Sequence, residues 1–290
     1  MGHPELSISE CTTYTADFES DLRNYRLAGA DGIGIWEFKL AEGGDLRALQ
    51  QLQRSGLRAT LCVPQVPSIV PDPYFTEPKD PLARRTALCA AVRRFSRFDP
   101  VAVLCLTGDP AGRGRAETRQ LVIDGLRAAA EVAGEVGVTL GLEPLRATSG
   151  SLVTTIPDTI QLIDEIGAPN IKLIADTWHF WDVPAMLDHL RTYAARLVGV
   201  QVNDYREPTR SWCDRVLPGD GVIDLGAVFV ALEEGGFNGW YDVEVFSDNG
   251  LFGNAYPESL WSQDPQRVAH AAVQKFRAAW HGRRSGLRST

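Results

Sequence analysis

Three carboxylates stand inside short apolar runs: Glu143 in GLEPL, Asp176 in IADTWH and Glu244 in DVEVF. Alternation along an extended strand points each of them to the apolar, inward side. Carboxylates brought together at low dielectric repel each other strongly. A bound divalent cation or shared protons relieve that repulsion. Two or three carboxylates plus an amide oxygen suit Mn2+ first, then Mg2+ or Co2+, better than a thiolate-rich zinc site. A blander arrangement, in which each carboxylate is paired with an arginine from a helix, explains one such residue more readily than three on consecutive units. Further polar residues end other apolar runs: Glu10 in SISE, Glu37 after Trp36 in IWEF, and Gln201, Asn203 and Asp204 in VQVND. His179 follows Asp176 by three positions.

The elements that would carry these residues alternate. β-branched runs bounded by turns alternate with helical patterns: strands at 5–13, 31–38, 58–65, 101–108, 138–145, 170–178, 198–205 and 240–247. Helices are expected between and after them, at 18–29, 45–56, 82–95, 117–137, 155–167, 183–197, 223–236 and 264–280. Several end in glycine just before the next strand: Gly29, Gly56, Gly137, Gly167 and Gly236. Alternating βα units predict a parallel sheet with helices outside. Eight units predict an α/β protein of one domain, a closed (β/α)8 barrel over 5–282 with a polar tail at 283–290. A doubly wound open sheet is the runner-up, but SECTTYTAD after the first strand is no glycine-rich phosphate loop. Active sites of such barrels lie at the C-terminal ends of the strands, where the residues above fall.

Composition narrows the partners. The 290 residues are 44% hydrophobic and 23% charged, with a net charge of −8. That balance argues against nucleic acid, which wants a clustered positive surface. No apolar run approaches a membrane span, and MGHPELSISE has no apolar segment of the secretory kind. The five cysteines are scattered, without a CxxC pair, which predicts reduced thiols in a cytoplasmic protein.

Together GLEPL, ADTWH, VND, PGDG (218–221) and VEVF resemble the xylose-isomerase-like barrel superfamily over residues 5–280. That superfamily holds sugar isomerases, ketose 3-epimerases, inosose dehydratases and endonuclease IV. The resemblance implies a divalent ion held from strands 5 to 8 by Glu143, Asp176, the Gln201 position and Glu244. Gln201 stands where the family has histidine. An amide oxygen is a ligand hard cations accept, so the departure implies a shift toward Mn2+ or Mg2+. His179 matches a histidine that contacts substrate in the epimerases. Endonuclease IV is a poor match: its three zinc ions need several histidines, the chain has five in all, and Val216 stands where its D-x-H pair has histidine.

The chemistry expected is removal of a proton beside a ketone. Cation and ketone together acidify the neighbouring C–H and stabilise the enediolate. Glu143 and Glu244, on strands separated around the rim, can remove and return the proton. Return to the adjacent carbon isomerises; return to the opposite face epimerises. Expulsion of a β-oxygen instead makes the enzyme a lyase, as for inosose dehydratase or a 3-keto-glycoside eliminating enzyme. A catalytically silent barrel acting as a subunit or sugar-binding partner is the third reading. The substrate expected is a polar, neutral sugar or cyclitol. His179, Arg206, Glu37, Trp36 and Trp178 are its candidate contacts, the indoles stacking on sugar C–H faces. Glu10 is a weaker candidate, Asp204 is expected to orient a ligand or loop, and 248–264 to cover the site or a subunit contact. A homo-oligomer is expected by analogy with the superfamily.

Overall fold

The computed structural model describes residues 3–284. Eight parallel strands form the barrel: β1 (Leu6–Ser9), β2 (Gly32–Gly34), β3, β4 (Ala102–Cys105), β5 (Leu140–Leu142), β6 (Ile171–Asp176), β7 (Leu197–Val202) and β8 (Trp240–Val243). β3 comes in two pieces, Arg58–Ala59 and Leu61–Cys62, which pair β2 and β4 respectively. Thr60 joins them: its N–H donates to Ile33 O at 2.9 Å and its carbonyl accepts from Ala102 N at 3.1 Å. The ring is thereby closed, β1 pairing β8 on the other side. The expected strands are all present but shorter, because the residues trimmed from their ends turn into loops over the barrel mouth.

The helices lie between consecutive strands and after β8: α1 (Phe18–Ala28), α2 (Asp45–Ser55), α3 (Pro81–Phe95), α4 (Arg115–Glu135), α5 (Ile156–Ile166), α6 (Met186–Tyr193), α7 (Leu225–Glu234) and α8 (Pro265–Gly282). Their ends follow local chemistry. Asp17, Asp80, Thr155, Asp224 and Asp264 each accept an N–H of the first turn. Gly29, Gly56 and Gly167 end α1, α2 and α5 in the left-handed conformation. Arg283 and Arg284, assigned to the tail, instead pair with Glu233 of α7 at 2.7 and 3.0 Å. The rest of that tail lies outside the described residues.

Two cores result. The larger packs helix faces on the outer strand surface, with Tyr25, Phe95, Phe229 and Phe276 fully buried. The smaller fills the barrel with Leu61, Leu104, Ile174 and Val198. Facing glycines make room: a Cβ on Gly199 would lie 2.8 Å from Leu61 Cδ1, and one on Gly141 2.2 Å from Ile174 Cδ1. This apolar plug is the floor on which the next inward layer, the polar one, rests. Among the described residues no helix is long and apolar enough to cross a membrane. The five cysteines are free.

Candidate active site

Strand alternation carries each chain from the plug into the polar layer. Two residues beyond Gly141, Ile174, Gly199 and Asp242 stand Glu143, Asp176, Gln201 and Glu244, all buried. Ladder register sets Gln201 directly between Asp176 of β6 and Asp242 of β8. The structure therefore brings Glu143, Asp176, Gln201 and Glu244 to one end of the barrel. Glu143, Asp176 and His179 offer ligand atoms within 4.8 Å of one another.

Each side chain is held. Asp176 Oδ1 accepts from Asn203 Nδ2 at 2.8 Å and from the Trp178 amide at 2.9 Å. That second bond caps the short helix Thr177–Phe180, which carries Trp178 and His179. Asp176 Oδ2 meets Nη1 of Arg215 at 2.6 Å. Glu244 Oε1 accepts from Ser9 Oγ at 3.0 Å, and Ser9 in turn accepts from Trp36 Nε1 at 2.8 Å. The Arg146 amide donates to Nδ1 of His179 at 3.1 Å. The neutral ring then carries its proton on Nε2, which lies 3.7 Å from Glu143 Oε1 and 3.8 Å from Asp176 Oδ2. His179 is thus a donor aimed at the carboxylates and the cavity; a metal ligand would need that nitrogen bare.

Electrostatics follow burial. Burial pushes Glu143 well above the usual carboxylate range, and Asp176 and Glu244 push it further. Burial raises Glu244 to about 7 against the pull of Arg215. Asp242 is raised well above its usual value by burial and by Glu244. Burial would raise Asp176 too, but Arg215, His179, Asn203 and the Trp178 amide outweigh it and hold it low. Burial lowers His179 to about 3, so the ring is neutral.

The donor set fits a divalent cation. Both side-chain polar atoms of Gln201 are buried with no partner within hydrogen-bond distance among the described residues, although Gln201 lies close enough to Glu244 to favour its charged form; that is a costly arrangement unless something binds there. Three buried carboxylates, Glu143, Asp176 and Glu244, share one guanidinium. Glu143 and Asp176, whose ligand atoms lie within 4.8 Å of each other, could hold such an ion, with Gln201 and Glu244 supplying oxygens from the neighbouring strands.

The cavity above has a volume of about 230 Å3. Glu143, His179, Arg215 and Glu244 form its floor, and Trp36 and Trp178 line it. Two expected contacts are elsewhere. Glu37 turns outward, accepting from the Gln65 amide at 2.8 Å and from Arg94 at 3.3 Å. Arg206 is spent on Asp214 at 3.0 Å and Glu258 at 3.5 Å. In both cases a charged partner on a neighbouring element captured the side chain, Arg94 of α3 for Glu37 and the loop residues Asp214 and Glu258 for Arg206. Glu10 is buried against the Trp36 amide, at 2.8 Å. Asp204 binds the amides of Gly219 and Ile223, both at 2.9 Å, and so shapes the PGDG turn.

Sequence reasoning missed Arg215 and Asp242. Arg215 enters on a two-stranded ribbon, Asp204–Tyr205 with Arg215–Val216, that follows β7. Nothing local marks it as buried. Asp242 had a signal, standing two residues before Glu244 on the same strand. The cavity also takes Tyr74 and Phe75 from the loop after β3, Trp212 from the loop within the ribbon, and Phe252 from 248–264. That last segment does cover the site, tied down by Asp248, which accepts the amides of Gly250, Phe252 and Asn254 at 2.9, 3.0 and 2.8 Å.

Known proteins agree with this architecture. Hydroxypyruvate isomerase of Escherichia coli (strain K12) is 27% identical over 164 residues, covering 55% of this chain and 61% of that protein. Inosose dehydratase of Klebsiella pneumoniae (strain 342) is 31% identical over 154 residues, covering 47% of this chain and 50% of that protein. The chain therefore spans about half the length of the curated relatives it matches. The crystal structure of the IOLI protein with a binding zinc atom superposes with a TM-score of 0.77 at 20% identity, over 95% of this chain and 97% of that one. At that identity the likeness shows the fold. A family profile described as Xylose isomerase-like TIM barrel matches residues 22–273. The chain belongs to the xylose isomerase-like TIM barrel family.

Proposed function

We propose that this chain is a divalent-metal-dependent enzyme that moves a proton beside the ketone of a sugar or cyclitol, giving isomerisation or epimerisation. The observation that carries the reading is the buried floor: Glu143 and Glu244, the residues that follow β5 and β8, flank Asp176 and Gln201 beneath an open cavity. The relatives support it, since hydroxypyruvate isomerase, inosose isomerase and D-psicose 3-epimerase are among them.

When bound, a divalent ion supplies Lewis-acid polarisation and offsets the carboxylate charge. The rest falls to the chain. His179 Nε2–H donates to the ketone oxygen and binds it more tightly as negative charge develops there. Arg215 keeps Asp176 ionised and adds positive charge at the floor. Glu143 or Glu244 takes the proton from the carbon beside the ketone, leaving an enediolate, and the other returns one from its own side. The indoles of Trp36 and Trp178 exclude water from the reacting carbon. A lyase outcome, with a β-oxygen expelled from the enediolate, is the second reading; the 31% identity to inosose dehydratase favours it.

The test is proton NMR in D2O with Mn2+ and candidate ketoses and inososes, alongside metal analysis of the purified protein. Stoichiometric metal and C–H exchange abolished by Glu143→Gln or Glu244→Gln support the reading, and the product then separates isomerase from lyase. No metal and no exchange would leave a silent barrel.

A further inference from the structure

The walls of the cavity are unlike its floor. Above the four polar side chains stand Trp36, Tyr74, Trp212, Phe246 and Phe252. They form one surface. The Trp212 ring centre lies 4.6 Å from Tyr74, 5.3 Å from Phe252 and 5.5 Å from Phe246, and Trp36 lies 5.8 Å from Phe246. Leu104, Leu106 and Leu145 fill in behind. The Trp36 N–H is already given to Ser9, which leaves the buried Trp178 N–H as an indole donor without a partner among the described residues. Charged groups outside the cavity lining are engaged with one another: Glu37 with Arg94, Arg206 with Asp214, and Arg146 with Asp182 at 2.7 Å.

A free ketose carries a hydroxyl on nearly every carbon. Against this wall most of them would lose water and gain no partner, which disfavours binding. One sugar C–H face can stack on one indole, but that uses a small part of the surface. The volume also exceeds one ring: an engineered apolar cavity of about 150 Å3 takes a benzene, whereas this one measures about 230 Å3 and opens to solvent past Phe38 and Phe252, 41% and 44% exposed.

We propose that the substrate is a keto-sugar or keto-cyclitol bearing a flat aromatic substituent. The ketone end sits on Glu143, His179, Arg215 and Glu244; the aryl group lies among Trp36, Trp212 and Phe246, with Phe252 at the mouth. Rings that meet edge-to-face and tilted, as these do at 75° between Trp36 and Phe246 and 76° between Trp212 and Phe252, accept another flat ring readily. The proposal deepens the function proposed above and rests on that reading for the ketone end.

The test compares three probes by calorimetric titration of the full chain with Mn2+ supplied. They are a phenyl glucoside oxidised to a ring ketone, the matching methyl glycoside ketone, and the free keto-sugar. The phenyl compound is expected to bind at least about tenfold more tightly than the methyl one. Trp212→Ala should shrink that gap to about threefold or less, and Trp212→Phe should keep most of it. If Trp212→Ala does not fold, Phe252→Ala at the exposed mouth asks the same question. Equal binding of phenyl and methyl compounds would overturn the aryl site. Deuterium exchange beside the ketone is followed separately. Phenyl preference without exchange would refute the proposed reaction and leave the aryl site standing. Exchange without preference would do the reverse.

Discussion

Nη1 of Arg215 lies 2.6 Å from Oδ2 of Asp176, and both side chains are buried. The guanidinium also faces Glu244 Oε2 at 3.9 Å and rests against the rings of Trp178 and Phe246 at 5.0 and 4.5 Å. One cation supplied by a loop ribbon thus offsets part of the charge that three strands bring together. It keeps Asp176 ionised while burial raises Glu143 and Glu244.

Removing Arg215 leaves Asp176 charged, buried and unpaired. Arg215→Met is expected to destabilise the protein by about 3–5 kcal/mol. Combining it with Asp176→Asn should recover part of that loss. Urea denaturation of the three variants checks both statements. Full additivity of the two changes would mean that the pair does not interact.

A divalent ion should raise the melting temperature. At a hundredfold excess over its dissociation constant, the gain is about 2.7 kcal/mol. Mn2+ added to metal-stripped protein should show the shift, and Glu143→Gln or Asp176→Asn should remove most of it. Scanning calorimetry with and without Mn2+ reads this directly. An unchanged melting temperature in the native chain would count against a metal at this floor.

Gln201 invites a gain-of-binding variant. A histidine there adds a softer nitrogen donor to the three carboxylates. Gln201→His should tighten zinc more than Mn2+, by about tenfold, provided the ring fits between Asp176 and Asp242. Competition against a fluorescent chelator measures the ratio. A uniform change for both ions would show that position 201 does not touch the metal.

The two glutamates and His179 should separate in kinetics. Glu143→Gln and Glu244→Gln each remove a proton carrier, and exchange in D2O should fall by about 100- to 10,000-fold. His179→Asn keeps a hydrogen-bond donor, and its loss should be smaller, about tenfold to a hundredfold. Equal losses in all three would point to collapse of the floor, which near-ultraviolet circular dichroism would reveal.

Asp248 gives a pH dependence outside the reaction centre. Burial alone would raise it, but three amide donors outweigh that and hold it below its ordinary value of 3.8. A carboxylate lowered in the folded state contributes stability that is complete above its unfolded value. The contribution is lost as pH falls through the folded one. Asp248→Asn should therefore be less stable than the native protein at pH 7, by about 1–3 kcal/mol. The difference should fade as the pH drops below about 3.8. Tryptophan fluorescence during denaturation at several pH values follows it, because the segment carries Trp261. A gap that does not change with pH would refute the ionic origin.

Much of the architecture was readable along the chain. Alternation marked Glu143, Asp176 and Glu244 as inward, and period 2 leaves no other face for them once their neighbours pack outside. Helix caps such as Asp80 and Gly56 are local chemistry, so the order of eight βα units needed no long-range knowledge. Strand extents were overestimated because apolar residues near strand ends also pack as loops. What only the tertiary structure decided was the direction of side chains on those loops. Glu37 and Arg206 turned from the cavity because Arg94, Asp214 and Glu258, distant in sequence or across a loop, offered charge partners. Arg215 turned inward because the ribbon after β7 delivers it to the unbalanced carboxylates. The aromatic wall is assembled from the segments after β2 and β3, within the ribbon and after β8, and no sequence period relates Tyr74, Trp212, Phe252 and Trp36. Strand facing is a property of the repeating backbone; the partner a loop side chain finds depends on where the closed barrel sets the loops beside one another.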